Sequence, residues 1–522
     1  MLSIIKSMSL IGIEGYLIDV EVDVSAGIPS WEIVGLPDTS VKEAKERVRT
    51  AIRNSGYDMK SRKIVINLAP ADIKKEGPFF DLPIAIGILA CMRCINTSNI
   101  INTIFIGELS LDGKINKVDG ILPMCIEAKK LGIKRVVLPI ENAKEAAIVN
   151  GIEIIGVNDL EQTIGYINKV NNIEPTKTDL NKLFNLKNSY QLDFSEVKGQ
   201  ENIKRALEIA SAGGHNCLLI GTPGSGKTMM AKRIPTILPD LSFDEALETT
   251  KIHSVAGETD KDVALITTRP FRAPHHTISG SSLIGGGRIP KPGEISLAHN
   301  GVLFLDELPE FNKNTLEVLR GPLEDKIVTI SRVNASITYP CNFMFVASMN
   351  PCPCGFFGSE EKECTCSSKA ISKYIGRISG PLLDRIDIQV EVTPVKYKNL
   401  EYEEKAESSE KIKIRVNKAR KVQQKRYLNE KIYSNSQLTP KLIEKYCVLN
   451  NEEKKLLEMA FNNLGLSARA YGKILKVART IADLDNKENI EINHLAEAIQ
   501  YRSLDKKYWK NWGINENNRN WK

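Results

Sequence analysis

A chain of 522 residues exceeds what one hydrophobic core holds, so two or three domains are expected. With 42% apolar and 26% charged residues the composition is globular, and no apolar run reaches the roughly 18–20 residues that cross a bilayer. The formal charge of +7 is uneven: positions 396–522 carry 27 Lys and Arg against 17 Asp and Glu, leaving the remainder slightly acidic. A basic C-terminal quarter suits a polyanion such as nucleic acid, and equally a solvated helical surface.

The N-terminal stretch MLSIIKSMSLIGIEGYLIDV alternates like a strand and lacks the apolar centre and cleavage site of a signal peptide. A cytoplasmic location is therefore expected, with the ten cysteines as thiols or metal ligands rather than a disulfide scaffold. Residues 1–168 read as a compact α/β unit. Short β-rich runs (KIVINLAP, NTIFIGEL, KRVVLPI, EIIGV) alternate with helix-like stretches such as TSVKEAKERVRTAIRNSG and MCIEAKKLG. Cys91 and Cys94 end the apolar stretch DLPIAIGILACMRC and read as structural. Residues 169–192 are polar and form a linker by composition. A second α/β unit follows over 193–395, and 396–522 is mostly helical, with a long charged helix in KAESSEKIKIRVNKARKVQQKRY. The tail KKYWKNWGINENNRNWK interleaves basic and aromatic residues, which suits stacking on bases as well as plain packing or a disordered end.

The segment NCLLIGTPGSGKTMMAKRI reads as strand, glycine loop and helix, and GTPGSGKT fits G-x-x-x-x-G-K-[ST] at every fixed position. Gly221, Thr222, Pro223, Gly224, Ser225 and Gly226 form the loop whose N–H groups turn inward around phosphates. Lys227 supplies charge for the β- and γ-phosphates of ATP, and Thr228 a hydroxyl for Mg²⁺. The apolar run GVLFL then ends in Asp306 and Glu307, the first suited to the Mg²⁺ shell and the second to orienting the attacking water. The run FMFVASM ends at Asn350, a polar side chain placed to help position that water or to begin the turn at Pro351. Directly afterwards, Cys352, Cys354, Cys364 and Cys366 put four soft ligands into one loop. That set suits tetrahedral Zn²⁺, although the C-x-C pairs are tighter than the usual C-x₂-C; unligated thiols or a redox pair are the alternative.

The order of these elements resembles the AAA+ ATPases. DFSEVKGQENIKRAL is similar to that superfamily's adenine-side segment, Asn350 matches sensor 1, Arg385 in GPLLDRIDIQVEV stands where an arginine finger is carried, and Arg469 in LSARAYGKIL matches sensor 2 on the helical lid. Either arginine also reads as a surface ion pair. The insertions RPFRAPHHTISGSSLIGGGRIPKPGEISLAHN and VTISRVNASITYPCNF, the second a β-hairpin with Arg332 near its tip, resemble the magnesium-chelatase-like branch, and within it the YifB/ComM family, over nearly the whole chain. This resemblance implies a hexameric ATP-driven DNA motor that promotes branch migration during natural transformation. His275, His276, Lys291 and Arg332 are then candidate DNA contacts on pore-facing insertions, or residues that shape an insertion or subunit interface.

INLAPADIKKEGPFFDLPIAIGIL and GELSLDGKINKVDGILPMCIEAKKLGIKRVVLP resemble the Lon-type protease domain, a ribosomal protein S5 domain 2-like α/β fold. That family uses a Ser-Lys pair. Here Gly77-Pro78 is followed by Phe79 and Phe80, and the region expected to carry the lysine reads Asp119, Gly120, Ile121, Leu122. Apolar side chains serve as neither nucleophile nor base, so peptidase chemistry is expected to be absent. The expected architecture is thus a Lon-like α/β domain, an AAA+ parallel-sheet core and a helical lid. The function classes to separate are a DNA motor, a chelatase-type motor that remodels a protein partner, and an ATP-dependent protease.

Overall fold

The computed structural model describes residues 1–59, 62–179, 184, 190–259, 263–287, 290–332, 335–359, 362–394, 406–430, 432–464 and 466–510. They form two compact units, Met1–Lys187 with Phe243–Thr267, and Asn188–Ser242 with Thr268–Lys522.

The first unit is built on a mixed seven-stranded sheet. Its strands are β1 (Leu2–Ile11), β2 (Glu14–Ser25), β3 (Ser30–Val34), β4 (Lys63–Ala69), β5 (Thr103–Phe105), β6 (Arg135–Pro139) and β7 (Glu153–Val157), in the order β3-β4-β2-β1-β5-β6-β7. Alternation decides which face of β2 is covered: Ile18, Val20, Val22 and Val24 turn inward while the residues between them remain partly exposed. Helix α1 (Thr39–Asn54) starts at Asp38, whose carboxylate accepts from Val41 N–H, and buries Val41, Ala44, Val48, Ala51 and Ile52 along one helical stripe. Helix α2 (Asp81–Cys91) is buried all round and packs on β1 and β2. Helix α3 (Ile121–Lys130) packs on β2 and on the helix Phe243–Ala256. Gly120 N–H donates to Ser254 O at 2.9 Å and Lys117 Nζ to Thr259 O at 2.7 Å. A segment that follows the phosphate loop in sequence thus belongs to the core of the first unit.

The second unit carries a five-stranded sheet, parallel throughout. After helix α4 (Glu201–Gly213) come β8 (Cys217–Gly221), helix α5 (Lys227–Ile237), β9 (Phe271–Arg272), β10 (Val302–Leu305), a hairpin of β11 (Ile327–Arg332) and β12 (Ala335–Pro340), β13 (Met344–Met349) and β14 (Ile388–Val392). The sheet order is β9-β10-β13-β8-β14. β8, β10 and β13 are buried at every residue, as expected of strands covered on both faces, which is why they read as continuous apolar runs. Helices α6 (Ser409–Arg426), α7 (Ala468–Leu484) and α8 (Ile492–Gln500) follow. α6 packs on α4, α5 and α7, and α7 on α4, so the C-terminal helices share one apolar cluster with the sheet. Among the described residues no helix is long and apolar enough to cross a membrane. The tail beyond residue 510 lies outside the described residues. Before it, Tyr508 is buried and Trp509 packs against its ring edge-on.

Candidate active site

Register places the polar residues. β8 pairs in parallel with β13 so that Ile220 faces Met349, and β10 with β13 so that Leu305 faces Ala347. The three apolar strands therefore stop side by side: β8 ends in Gly221, and Asp306 and Asn350 follow the C-terminal ends of β10 and β13. In open α/β sheets ligands bind at this edge. The loop between β8 and α5 requires glycine at Gly224 and Gly226, with φ of 77° and 90°, and the second sits at the N-terminus of α5.

Lys227 Nζ donates to Gly221 O at 2.7 Å, Thr222 O at 2.8 Å and Asn350 Oδ1 at 3.1 Å. Burial pulls its pKa below the ordinary lysine value, against the upward pull of Asp306 and Glu307. Thr228 Oγ1 donates to Asp306 Oδ2 at 2.6 Å. Glu307 is exposed and takes a left-handed backbone (φ 54°), a conformation that costs a non-glycine residue about 1–3 kcal/mol and gathers at functional sites. Its N–H donates to Asp306 Oδ1 at 3.1 Å and Ser348 Oγ at 3.3 Å. Thr222 Oγ1 and Ser225 Oγ are buried without a hydrogen-bond partner. A phosphate chain fits this set: a helix N-terminus opened by glycine, one cation, a hydroxyl–carboxylate pair for a hard divalent ion, and two hydroxyls with unused capacity.

Two residues outside the sequence motifs hold this arrangement. Ser348, on β13, donates its hydroxyl to Asp306 and so fixes the carboxylate from the neighbouring strand. Gln200 (φ 58°) donates to Ser225 O at 2.9 Å and Thr393 O at 3.2 Å, latching the phosphate loop to the end of β14. Ser348 is hidden within an apolar run. Gln200 stands in the adenine-side segment, and its partners are distant in sequence.

Arg385 lies on another part of the same unit, where Nε donates to Arg320 O at 3.0 Å, Nη1 to Pro381 O at 2.7 Å, and Nη2 pairs with Glu324. Arg469, exposed on α7, donates at 3.0 Å to Oδ2 of Asp384, the residue next to Arg385 in sequence. One helical turn further along α7, Lys473 donates to Ile386 O and pairs with Asp387, both at 3.0 Å. The Asp387 carboxyl is held below the usual range: burial opposes ionisation, but Lys473, His215 and Lys476 outweigh it.

In the insertions, the rings of His275 and His276 lie 4.0 Å apart, and His276 meets Phe311 edge-on. Lys291 is exposed on the short strand Lys291–Pro292. Arg332 ends β11, and its side chain and the hairpin tip at 333–334 lie outside the described residues. The sulfurs of Cys352, Cys354, Cys364 and Cys366 lie within 4.8 Å of one another. Cys91 is buried and donates to Met1 O at 2.9 Å, a packing role. In the first unit, Phe79, Phe80, Ile121 and Leu122 are buried apolar residues.

Comparison with known proteins agrees. The family described as magnesium chelatase, subunit ChlI, matches residues 193–400; subunit ChlI of Mg-chelatase matches 20–142; and the ChlI C-terminal family matches 406–502. The chain is 44% identical over 508 residues to the YifB protein of Escherichia coli, covering 97% of this chain and 98% of that one. It is 42% identical over 506 residues to competence protein ComM of Haemophilus influenzae, covering 96% and 98%. It also shares 30% identity over 188 residues with Lon protease 2 of Bacillus subtilis, covering 32% and 33%. With the strand order, the phosphate loop and the paired carboxylates, these matches show that the chain belongs to the YifB/ComM family of magnesium-chelatase-like AAA+ proteins.

Proposed function

We propose that the chain is an ATP-hydrolysing ring motor that acts on DNA in the cytoplasm, as a helicase or branch-migration enzyme in DNA uptake or recombination. The observation that carries the ATPase reading is the meeting of Lys227, Thr228, Asp306, Ser348 and Asn350 at one edge of the sheet. The loop N–H groups and the N-terminus of α5 receive the phosphates, and Lys227 exchanges its carbonyl partners for phosphate oxygens. Thr228 and Asp306 offer the ligands for Mg²⁺, which when bound neutralises charge on the β- and γ-phosphates. Asn350 and the exposed Glu307 orient water at the γ-phosphate. Arg385 is the side chain that would reach a neighbouring subunit's nucleotide in a hexameric ring, and Arg469 would act as sensor 2 on the helical lid, each exchanging its carboxylate partner, Glu324 or Asp384, for phosphate.

The DNA reading rests on the ComM relative, named for competence, and on the basic segment 396–522. His275, His276, Lys291 and Arg332 are the proposed backbone contacts on the insertions. ATP turnover by the full chain, measured alone and with single-stranded, duplex and forked DNA at moderate salt, tests it. Stimulation by DNA is expected, and absence of both binding and stimulation sinks the DNA motor. The chelatase families favour a second reading, a motor that remodels a protein partner; turnover raised by a stably captured protein and indifferent to DNA would select it. A protease reading is disfavoured, because Gly77-Pro78 is followed by Phe79 and Phe80 and the region 119–122 carries no lysine.

A further inference from the structure

The four thiols after β13 approach one another as metal ligands do. Cys352 Sγ lies 3.3 Å from Cys354 Sγ and 3.6 Å from Cys364 Sγ, and Cys354 Sγ lies 3.6 Å from Cys364 Sγ. A tetrahedron of sulfurs about Zn²⁺, with bonds of about 2.3 Å, has edges of about 3.8 Å, whereas a disulfide is about 2.05 Å long. The separations match the first, and all four cysteines are free. Backbone N–H groups already point at the sulfurs: Phe357 N donates to Cys352 Sγ at 3.3 Å and Cys354 N to Cys366 Sγ at 3.4 Å. Such donors stabilise thiolates around a metal.

The cysteine loop also touches the phosphate loop. Gly355 has φ 86°, and a Cβ there would lie 2.4 Å from Pro223 Cδ and 2.6 Å from Cγ. Its turn is therefore laid directly on the third residue of GTPGSGKT, at a distance only glycine permits. The strand that leads into the cysteines ends in Asn350, a partner of Lys227, two residues before Cys352. On its far side the loop is braced by Phe357, whose ring meets Tyr508 edge-on at 6.4 Å.

We propose that Cys352, Cys354, Cys364 and Cys366 hold one Zn²⁺, and that the metal, by fixing the Gly355 turn against Pro223, keeps the phosphate loop in its nucleotide-binding shape. Each thiol gives up its proton to solvent as its sulfur binds, and no redox partner is needed. The zinc does no chemistry on ATP; it stiffens the wall behind the loop. The coupling rests on the reading of Gly221–Thr228 as an ATP site, while the metal site does not.

The test uses the full chain. Metal content is measured by mass spectrometry, and the affinity for a fluorescent ATP analogue is measured for the chain as purified, stripped with chelator, and reloaded with Zn²⁺. About one zinc per chain is expected, with about tenfold weaker nucleotide binding after stripping and recovery on reloading. Less than a tenth of a zinc per chain, with none taken up on reloading, overturns the metal site. Equal affinity in stripped and loaded chains overturns the coupling. Because Cys364→Ser and Cys366→Ser could fold poorly, Gly355→Ala serves as the second variant: it should keep its zinc and still bind nucleotide several-fold more weakly. Wild-type affinity in Gly355→Ala also overturns the coupling. A zinc-loaded wild-type chain that binds no analogue at all overturns the ATP reading and the coupling with it, and leaves the metal site standing.

Discussion

Both units cover a sheet with helices, but they treat polar groups at their centres in opposite ways. In the first unit Phe79 and Phe80, after Gly77-Pro78, are buried apolar side chains, as are Ile121 and Leu122 at the start of α3. The nearby Asp81 is fully buried and closed by Arg47, which donates to both carboxylate oxygens at 2.7 and 3.0 Å. In the second unit the buried strands stop short, and their polar successors keep unused capacity: the hydroxyls of Thr222 and Ser225 have no partner, and Glu307 is exposed. A site is therefore recognised by polar groups with bonds left to make. The Asp81–Arg47 pair spends its bonds on folding.

The comparison breaks first at Lys227 and Glu307. Lys227→Ala is expected to abolish nucleotide binding. Glu307→Gln should keep binding but lower kcat on the order of 10²–10⁴-fold. Calorimetric titration with ATP beside steady-state turnover separates the two, and equal loss of binding in both variants contradicts the division of labour. Phe79→Ala should remove about 3 kcal/mol from the first unit, as large-to-small core changes do. Turnover per folded chain should stay within about twofold, so a large drop in turnover with unchanged unfolding would give Phe79 a functional role. Ser348→Ala should weaken Mg²⁺ affinity about 10–100-fold, as loss of an outer-shell partner does, with kcat restored at saturating metal. An unchanged Mg²⁺ titration would reduce Ser348 to packing.

The smallest effect is a pH dependence. Burial outweighs the Arg47 and Leu109 hydrogen bonds and lifts the Asp81 carboxyl from 3.8 to about 6. Between those values the folded unit holds a proton that the unfolded chain has lost. Its contribution is thus full below about pH 4 and disappears as pH rises through about 6. Hydrogen exchange in α2, corrected for intrinsic rates, should show protection falling between about pH 4 and 6, and Asp81→Asn should flatten that slope. An equal slope in the variant would falsify the assignment to Asp81.

What could be read from sequence follows the range of the interactions. GTPGSGKT is contiguous, and each of its residues has a task set by phosphate geometry, so the loop is visible without a fold. Asp306, Glu307 and Asn350 are visible because polar residues end apolar runs. Ser348 is not, since one hydroxyl inside FMFVASM looks like ordinary strand content until the register puts it against Asp306. Gln200 and the Gly355–Pro223 contact are hidden for the same reason, as both join segments more than twenty residues apart. The arginine partners Glu324 and Asp384 are likewise products of tertiary packing.

The helix Phe243–Ala256 has a practical consequence for anyone dividing this chain. It leaves the ATPase unit after α5 and is built into the other unit, where Ala246, Thr249, Ile252 and Val255 are buried. A chain shortened to begin at residue 188 would keep this helix and lose the residues that cover it, so an apolar surface of the vanished unit would remain on the survivor. Aggregation of such a fragment would report on that orphaned helix, and its inactivity would say nothing about what the first unit contributes.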